Sequence, residues 1–166
     1  TIVDRRIAAK KAGDKVTSDS LKITINGSFG KLGSKYSVLY SPDLMIQTTI
    51  SGQLNLLMLI DMLEDDGFRV VSANTDGIVT LVHTLRYDAF VAIVEKWEKI
   101  TSLKTEETRY KSLYSRDVNS YLAVKTDGKT KGKGVLGDPG LNKAPDAEIV
   151  AEAVKALIVN GSPVGK

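Results

Sequence analysis

In the stretch VVSANTDGIVTLV (residues 70–82) two apolar, β-branched arms flank a polar knot, Asn74-Thr75-Asp76-Gly77. Burying an unpaired carboxylate is expensive, so Asp76 needs a cation, a cluster of donors or solvent. Two readings follow: a ligand held for a cation, or a surface turn, for which Asn, Asp and Gly are the usual residues. Further upstream, Lys22, Asn26 and Phe29 stand at i, i+4 and i+7, the spacing of one helical face. Downstream of Asp127-Gly128, Lys129, Lys131 and Lys133 alternate, which puts them on one face of a strand. The chain has no cysteine and one histidine. Disulfides, thiolate metal sites and His-based metal clusters are therefore excluded. His83 reads as a strand-end surface residue. Catalysis, if present, must run on carboxylates, lysines, hydroxyls and borrowed metal ions.

The elements that must position these residues are legible from periodicity. Residues 1–12 read as the end of a basic helix, stopped by Gly13-Asp14. Ser18 or Asp19 can cap a second helix running to about Gly30. An irregular stretch, Gly33–Asp43, precedes a long helix over about Leu44–Asp65, with Gly67 as its C-terminal cap. That helix is apolar nearly all round from Leu54 to Leu63, which predicts a core helix. A hairpin over Phe68–Val82 follows, then an amphipathic helix over Tyr87–Ile100 bearing Phe90, Ile93, Val94, Trp97 and Ile100. Residues 110–135 read as strands with a turn at Asp127-Gly128. After a Gly/Pro-rich linker, Gly137–Pro145, Pro145 starts a last helix that Gly161 ends. This order predicts an α+β fold with a small antiparallel sheet of five to six strands packed on helices.

Four sequence patterns converge on one family. Lys22-x-x-x-Asn26-Gly27-Ser28-Phe29-Gly30 resembles the fingers motif of family B DNA polymerases, Lys-x-x-x-Asn-Ser-x-Tyr-Gly. VVSANTDGIV is similar to the palm motif Tyr-Gly-Asp-Thr-Asp-Ser. Between them, Thr49-Ile50-Ser51-Gly52-Gln53 resembles the template-strand segment Thr-x-x-Gly-Arg. After them, Asn119–Ala123, Asp127-Gly128-Lys129 and Lys131-Gly132-Lys133-Gly134 resemble the Lys-Lys-Arg-Tyr strand and its sequel. The four patterns occur in the family's order over most of residues 20–136. The spelling SANTDG and the short fingers look more like bacteriophage members than cellular ones.

The resemblance implies a DNA-directed DNA polymerase that transfers a nucleotide from a dNTP to a primer 3′ end. Such transfer is mostly positioning and charge neutralisation, by two metal ions about 3.5–4 Å apart. Asp76 is the implied catalytic carboxylate and metal ligand, beside Asn74, Thr75 and Gly77. Magnesium, which prefers oxygen ligands, is the implied ion. Lys22 would reach the triphosphate, with Asn26, Phe29 and Gly30 around the nucleotide. Phe29 stands where the family usually has Tyr, so shape remains and a hydroxyl bond is lost. Gly27, Gly52 and Gln53 would lie near DNA, Gln53 replacing an Arg. Tyr121, Lys125, Lys131 and Lys133 would hold the primer duplex. A three-residue loop with Gly128 at a bulge would pair Lys131 with Lys125 and Lys133 with Ala123, turning Gly132 and Gly134 towards the core. Arg5-Arg6 and Lys10-Lys11, of which Arg6 and Lys10 lie one turn apart, are further candidates for the triphosphate or a solvated face.

Two departures qualify the resemblance. Asn74 stands where the family's motif carries its first Asp, which lowers the local negative charge by one. The family's other metal-binding Asp, in Asp-x-x-Ser-Leu-Tyr-Pro, has no match, nor do the Asp-x-Glu acids of a proofreading exonuclease. Ser37–Pro42 imitates the tail of the former motif but lacks its Asp and follows the fingers motif. The resemblance thus implies a fragment: fingers remnant over 1–32, palm over 33–140, start of the thumb over 141–166. It is expected to be inactive alone and to work with the rest of the polymerase chain, primer-template DNA and dNTP. The alternative is a non-catalytic nucleic-acid-binding module on a degenerate palm.

Bulk properties bound these readings. Charged residues are 26% and hydrophobic residues 42%, the balance of a soluble globular protein. No window is apolar for long enough to span a membrane, since Asn55 and Asp61 interrupt the longest run. Thr1 begins mid-pattern without an initiator Met, and no signal or transit peptide is expected. An intracellular location is expected, the host cytoplasm if the gene is a phage's. A net charge of +3 suggests polyanion contact only faintly. Its clustering at Arg5–Lys15 and Lys125–Lys133 says more.

Overall fold

The computed structural model describes residues 1–137 and 146–163, and for 146–148 the backbone alone. The fold is mixed α+β, with small antiparallel sheets packed against helices. Two compact units divide it, Thr1–Met58 and Leu59–Lys166.

The first unit is helical. Helix α1 (Ile2–Lys11) opens with a reciprocal capping box between Thr1 and Asp4. It carries Lys10 and Lys11 in its last turn, where cations favour the helix dipole. Gly13, at φ +76°, turns the chain back. Helix α2 (Lys15–Leu32) then begins from Asp14, whose side chain accepts from the Thr17 N–H. The cap is therefore Asp14 rather than Ser18 or Asp19, and Ser18 is buried inside the first turn. A carboxylate placed one residue before the helix satisfies an orphan N–H, and the helix starts at the first residue that allows this. Helix α3 (Pro42–Asp65) starts two residues before the expected Leu44, Pro42 occupying the first helical position, where its missing N–H costs nothing.

Helix α3 corrects the expectation of a core helix. Leu59 and Leu63 are buried, but Leu54 is 59% and Leu57 50% exposed. The four-residue step from Leu59 to Leu63 makes one fully buried stripe; Leu56, Met58, Ile60 and Met62 are half-buried, and Leu54 and Leu57 face outward.

In the second unit, strands β1 (Arg69–Ala73) and β2 (Ile78–Leu81) pair antiparallel with an irregularity between Val70 and Ser72. Phe68, which leads into β1, is buried and meets Phe90 edge-on at 5.8 Å. Helix α4 (Tyr87–Thr101) buries Trp97. Strands β3 (Tyr110–Asp117), β4 (Ser120–Lys125) and β5 (Thr130–Lys133) form a second antiparallel sheet in that order. The five strands thus make two sheets, β1-β2 and β3-β4-β5, instead of one. The central strand β4, with a neighbour on each edge, buries Leu122, Ala123 and Val124 in succession. Helix α5 (Asp146–Asn160) ends at Gly161, as expected. The expected linker, apart from Gly137, lies outside the described residues, as do Pro145 and the boundary at 140/141.

Glu98 fixes the segment after α4. Its carboxylate accepts from Lys104 Nζ at 2.8 Å, Thr105 N at 2.6 Å and Thr105 Oγ1 at 2.8 Å. The Lys104 bond first, then the two from Thr105, pull its pKa from 4.5 to about 2. A carboxylate depressed in the folded state stabilises the fold above its unfolded pKa and loses that contribution as pH falls through the folded one. Its share of stability is therefore complete above pH 4.5 and disappears between pH 4.5 and about 2. Urea midpoints measured down this range should fall less steeply in Glu98→Gln than in the wild type. Parallel curves would show that Glu98 contributes nothing to acid sensitivity.

Candidate functional site

The candidate residues fall into three groups. The first lies between α1 and α2. Arg6 and Lys10 from α1 converge with Lys15 and Lys22 from α2 on a cleft of about 260 Å³, completed by Gly13, Ser18 and Asp19. Four cations against one acid give it a net positive lining. Arg6 Nε is shielded from solvent and makes no hydrogen bond among the described residues. Leaving such a donor unpaired costs about 1–3 kcal/mol, a penalty that an anionic acceptor would remove. Lys15 is the member that sequence reasoning missed. Its signal was available, since Lys15 and Lys22 are seven residues apart and share a face.

Asn26, Phe29 and Gly30 continue along α2 and are exposed. A Cβ placed on Gly27 or Gly30 meets nothing within 4 Å. Packing within this chain does not require either glycine, although each costs its helix about 1 kcal/mol relative to Ala. The same holds for Gly52 on α3, beside the exposed Gln53. The hydroxyls of Thr48 and Thr49 bond back to the carbonyls of Leu44 and Met45, at 2.7 and 2.9 Å.

The second group is the turn joining β1 to β2. Asn74 N donates to Gly77 O at 2.9 Å, and Asn74 Oδ1 accepts from Asp76 N at 3.0 Å. Asn74 therefore shapes the turn with its amide oxygen, and the Asp76 carboxylate projects at the tip, exposed, as does Thr75. Among the described residues no group of three or more His, Cys, Asp or Glu side chains is placed to hold a metal ion. Asp76 fits magnesium as one carboxylate ligand of a hard cation, and it is not a complete donor set.

The third group is a face of the β3-β4-β5 sheet. Lys125 N donates to Lys129 O at 2.8 Å and Gly128 N to Lys125 O at 3.0 Å, so the loop is Thr126-Asp127-Gly128. Gly128, at φ +82°, takes the left-handed position of a three-residue loop. The loop begins one residue earlier than expected. Lys131 therefore opposes Ala123 and Lys133 opposes Tyr121, in place of Lys125 and Ala123. The shift is an even number of pairing steps, so the lysines keep to the Tyr121–Ala123–Lys125 face. Gly132 opposes the buried Leu122, but Gly134 leaves the strand and begins a short 3-10 turn, Gly134–Leu136.

With this geometry in view, one solved structure is informative. The chain is similar in fold to the family B DNA polymerase from the hyperthermophilic archaeon Pyrobaculum calidifontis. The superposition has a TM-score of 0.58 over 98% of this chain, at 16% sequence identity. The chain spans 25% of the length of that polymerase. At this identity the likeness establishes a polymerase-like α+β fold and nothing finer. No family model and no curated protein matches the chain. Among the described residues no helix is long and apolar enough to cross a membrane.

If the sheet face holds duplex DNA, its contacts are to phosphates and carry no sequence information. Replacing Lys131 and Lys133 by Ala should then weaken binding of all duplex sequences alike. The dependence of log K on log salt should flatten by about 0.9 per lost contact. A filter-binding titration across salt reads both, and an unchanged slope would leave these lysines as solubilising charge.

Proposed function

We propose that this chain is the nucleotide- and primer-handling part of a DNA-directed DNA polymerase, acting as a nucleotidyltransferase in its full-length form. The observation that carries the reading is the basic cleft between α1 and α2, with the unpartnered Arg6 Nε beside Lys10, Lys15 and Lys22. A dNTP triphosphate is an anion of the size and charge that such a cleft neutralises. Lys22, Lys15, Lys10 and Arg6 bind its oxygens. Asn26 and Phe29 lie further along the same helix and bound the sugar and base, where Gly27 and Gly30 leave room. Gly52 and Gln53 line the template path, and Tyr121, Lys125, Lys131 and Lys133 hold the primer duplex.

Asp76 would hold magnesium together with acids from elsewhere in the polymerase. Bound magnesium supplies charge neutralisation at the phosphates. In this reading 1–32 belong to the fingers, 33–140 to the palm and 141–166 to the start of the thumb, inside the cell where its substrates are made.

Lys22→Ala tests the reading. In the full-length protein it should raise the KM for dNTP about 10- to 100-fold, the loss expected when a hydrogen bond to a charged group is removed. Affinity for primer-template DNA should not change. Failure of any dNTP to bind at the cleft would instead favour a non-catalytic nucleic-acid-binding module. That second reading is favoured by one observation: the position of the missing first acid is filled by Asn74, whose side-chain oxygen is committed to the turn.

A further inference from the structure

Asp76 and the lysine face stand on two separate sheets, β1-β2 and β3-β4-β5, and no strand pairing fixes one against the other. Side chains at the start of α4 reach to both. Arg86 closes the base of the β1-β2 hairpin. Its Nη2 donates to Asp66 O at 2.6 Å and to Asp66 Oδ2 at 2.8 Å, a bond from just beyond β2 to just before β1. Its guanidinium also lies 4.3 Å from the centroid of the Phe68 ring. Tyr87, the next residue, ties down the entry to β3. Its hydroxyl donates to Glu107 Oε2 at 2.8 Å. Arg109, whose Nε donates to Glu107 Oε1 at 2.6 Å, lies 4.3 Å from the centroid of the Tyr87 ring.

Phe90, one turn along α4, joins the two halves, its ring centroid 5.8 Å from that of Phe68 and 6.4 Å from that of Tyr87. The result is a continuous ladder, Arg86–Phe68–Phe90–Tyr87–Arg109, with each step at ring-stacking or cation–π distance. Its ion pairs are about half exposed, and such pairs add little to stability. Their geometry matters more. The five residues of β1 make a lever of about 17 Å, over which a tilt of about 3° at the base moves the tip by about 1 Å. In a reaction that works by positioning, a misplacement of about 1 Å can cost about 100-fold in rate.

We propose that Arg86 and Arg109, acting through Phe68, Phe90 and Tyr87, are positioning residues that hold the Asp76 turn at a fixed distance from the lysine face of β3-β4-β5. The proposal rests on the polymerase reading above, in which Asp76 holds the metal and that face holds the primer. Neither arginine touches substrate. Each acts by keeping the metal ligand in register with the primer end.

The test uses the full-length protein and two readouts. Spin labels on Thr75→Cys, in the turn, and Ser115→Cys, on β3, both exposed positions, give a distance distribution by pulsed EPR. Single-turnover incorporation by the unlabelled protein gives the rate and the KM for dNTP. Arg86→Ala and Arg109→Ala should each broaden the distribution and lower the rate at saturating dNTP about 10- to 100-fold. The KM for dNTP and the affinity for primer-template DNA should not change, because the cleft and the sheet lysines are untouched. Arg86→Lys can keep a cation over Phe68 and a bond to Asp66, so it should fall between wild type and Arg86→Ala in both readouts. Thermal melts confirm that each variant is folded, and since the two arginines lie at opposite ends of the ladder, either one alone tests it. A wild-type distribution in both alanine variants would overturn the proposal, whatever their rates. A broadened distribution with a wild-type rate would overturn it too, as would a rate loss explained wholly by a raised KM or weakened DNA binding. Each of these results leaves the Lys22 effect on dNTP, and with it the polymerase reading, standing. A full-length protein that neither incorporates dNTP nor responds to Lys22→Ala would remove the proposed function and this role with it.

Discussion

In the full-length protein, Asp76→Ala is expected to reduce nucleotide incorporation by on the order of 10²–10³-fold or more, the loss that follows removal of one electrostatic stabiliser of a transition state. Binding of primer-template DNA should be nearly unchanged, because the proposed function assigns its phosphates to lysines elsewhere. The turn itself should survive, since it is made by the Asn74 backbone and side-chain bonds and uses only the backbone N–H of residue 76. That separation makes the substitution informative: stability is kept while charge is lost. Asn74→Asp should be tolerated or raise the rate, as a carboxylate oxygen can accept the same N–H and restores one negative charge. Single-turnover incorporation and a thermal melt of each variant check both parts. Near-normal turnover in Asp76→Ala would return this residue to the status of a surface turn.

The second large effect is on stability. Gly132→Ala is expected to destabilise the protein by about 3 kcal/mol or more, at the upper end of the cost of overpacking. A Cβ there would overlap the carbonyl oxygen of Leu136, a backbone atom that cannot swing aside. Gly134→Ala should behave similarly: its φ is +64°, and a Cβ would overlap Asn119 O and Ser120 Oγ. At roughly 2–4 °C per kcal/mol for a chain of this size, the melting temperature should fall by about 6–12 °C. Gly27→Ala is the control. Its Cβ meets nothing, so it should stabilise α2 by about 1 kcal/mol while impairing dNTP binding. Thermal melts of the three variants decide this. A Gly132→Ala protein that melts like wild type would mean that the turn over Gly134–Leu136 is free to move away from β5.

Features that depend on local periodicity and turn chemistry were legible in the sequence. The α1–α2 break at Gly13, the end of α3 near Gly67, the β1-β2 hairpin and α4 all follow from spacing and from residues that tolerate positive φ. The face shared by Lys22, Asn26 and Phe29 follows in the same way, as does the strand face shared by Lys131 and Lys133. Both rest on periods of 3.6 and 2, which survive a boundary error of a residue or two. The family resemblance, read from ordered motifs, pointed to the fold that the archaeal polymerase shares.

What those faces meet depends on how the chain folds back on itself. Arg6 and Lys10 are read from sequence equally well as a solvated face. Packing α1 against α2 is what brings them beside Lys15 and Lys22 and strands the Arg6 Nε. Apolar content predicted that Leu54–Leu63 would be core, but burial depends on what lies opposite, and only Leu59 and Leu63 are fully buried. The Lys131 register turned on a one-residue difference in loop start, fixed by the Lys125–Lys129 hydrogen bond between strands. Strand alternation turns Gly132 and Gly134 towards the core in the sequence, without saying why each must be glycine. Three-dimensional contact shows that they are the positions where the backbone of Leu136 and of Asn119 comes too close for any side chain. Sequence fixes what a residue can do within a few positions of itself, and only chain reversal fixes what it meets.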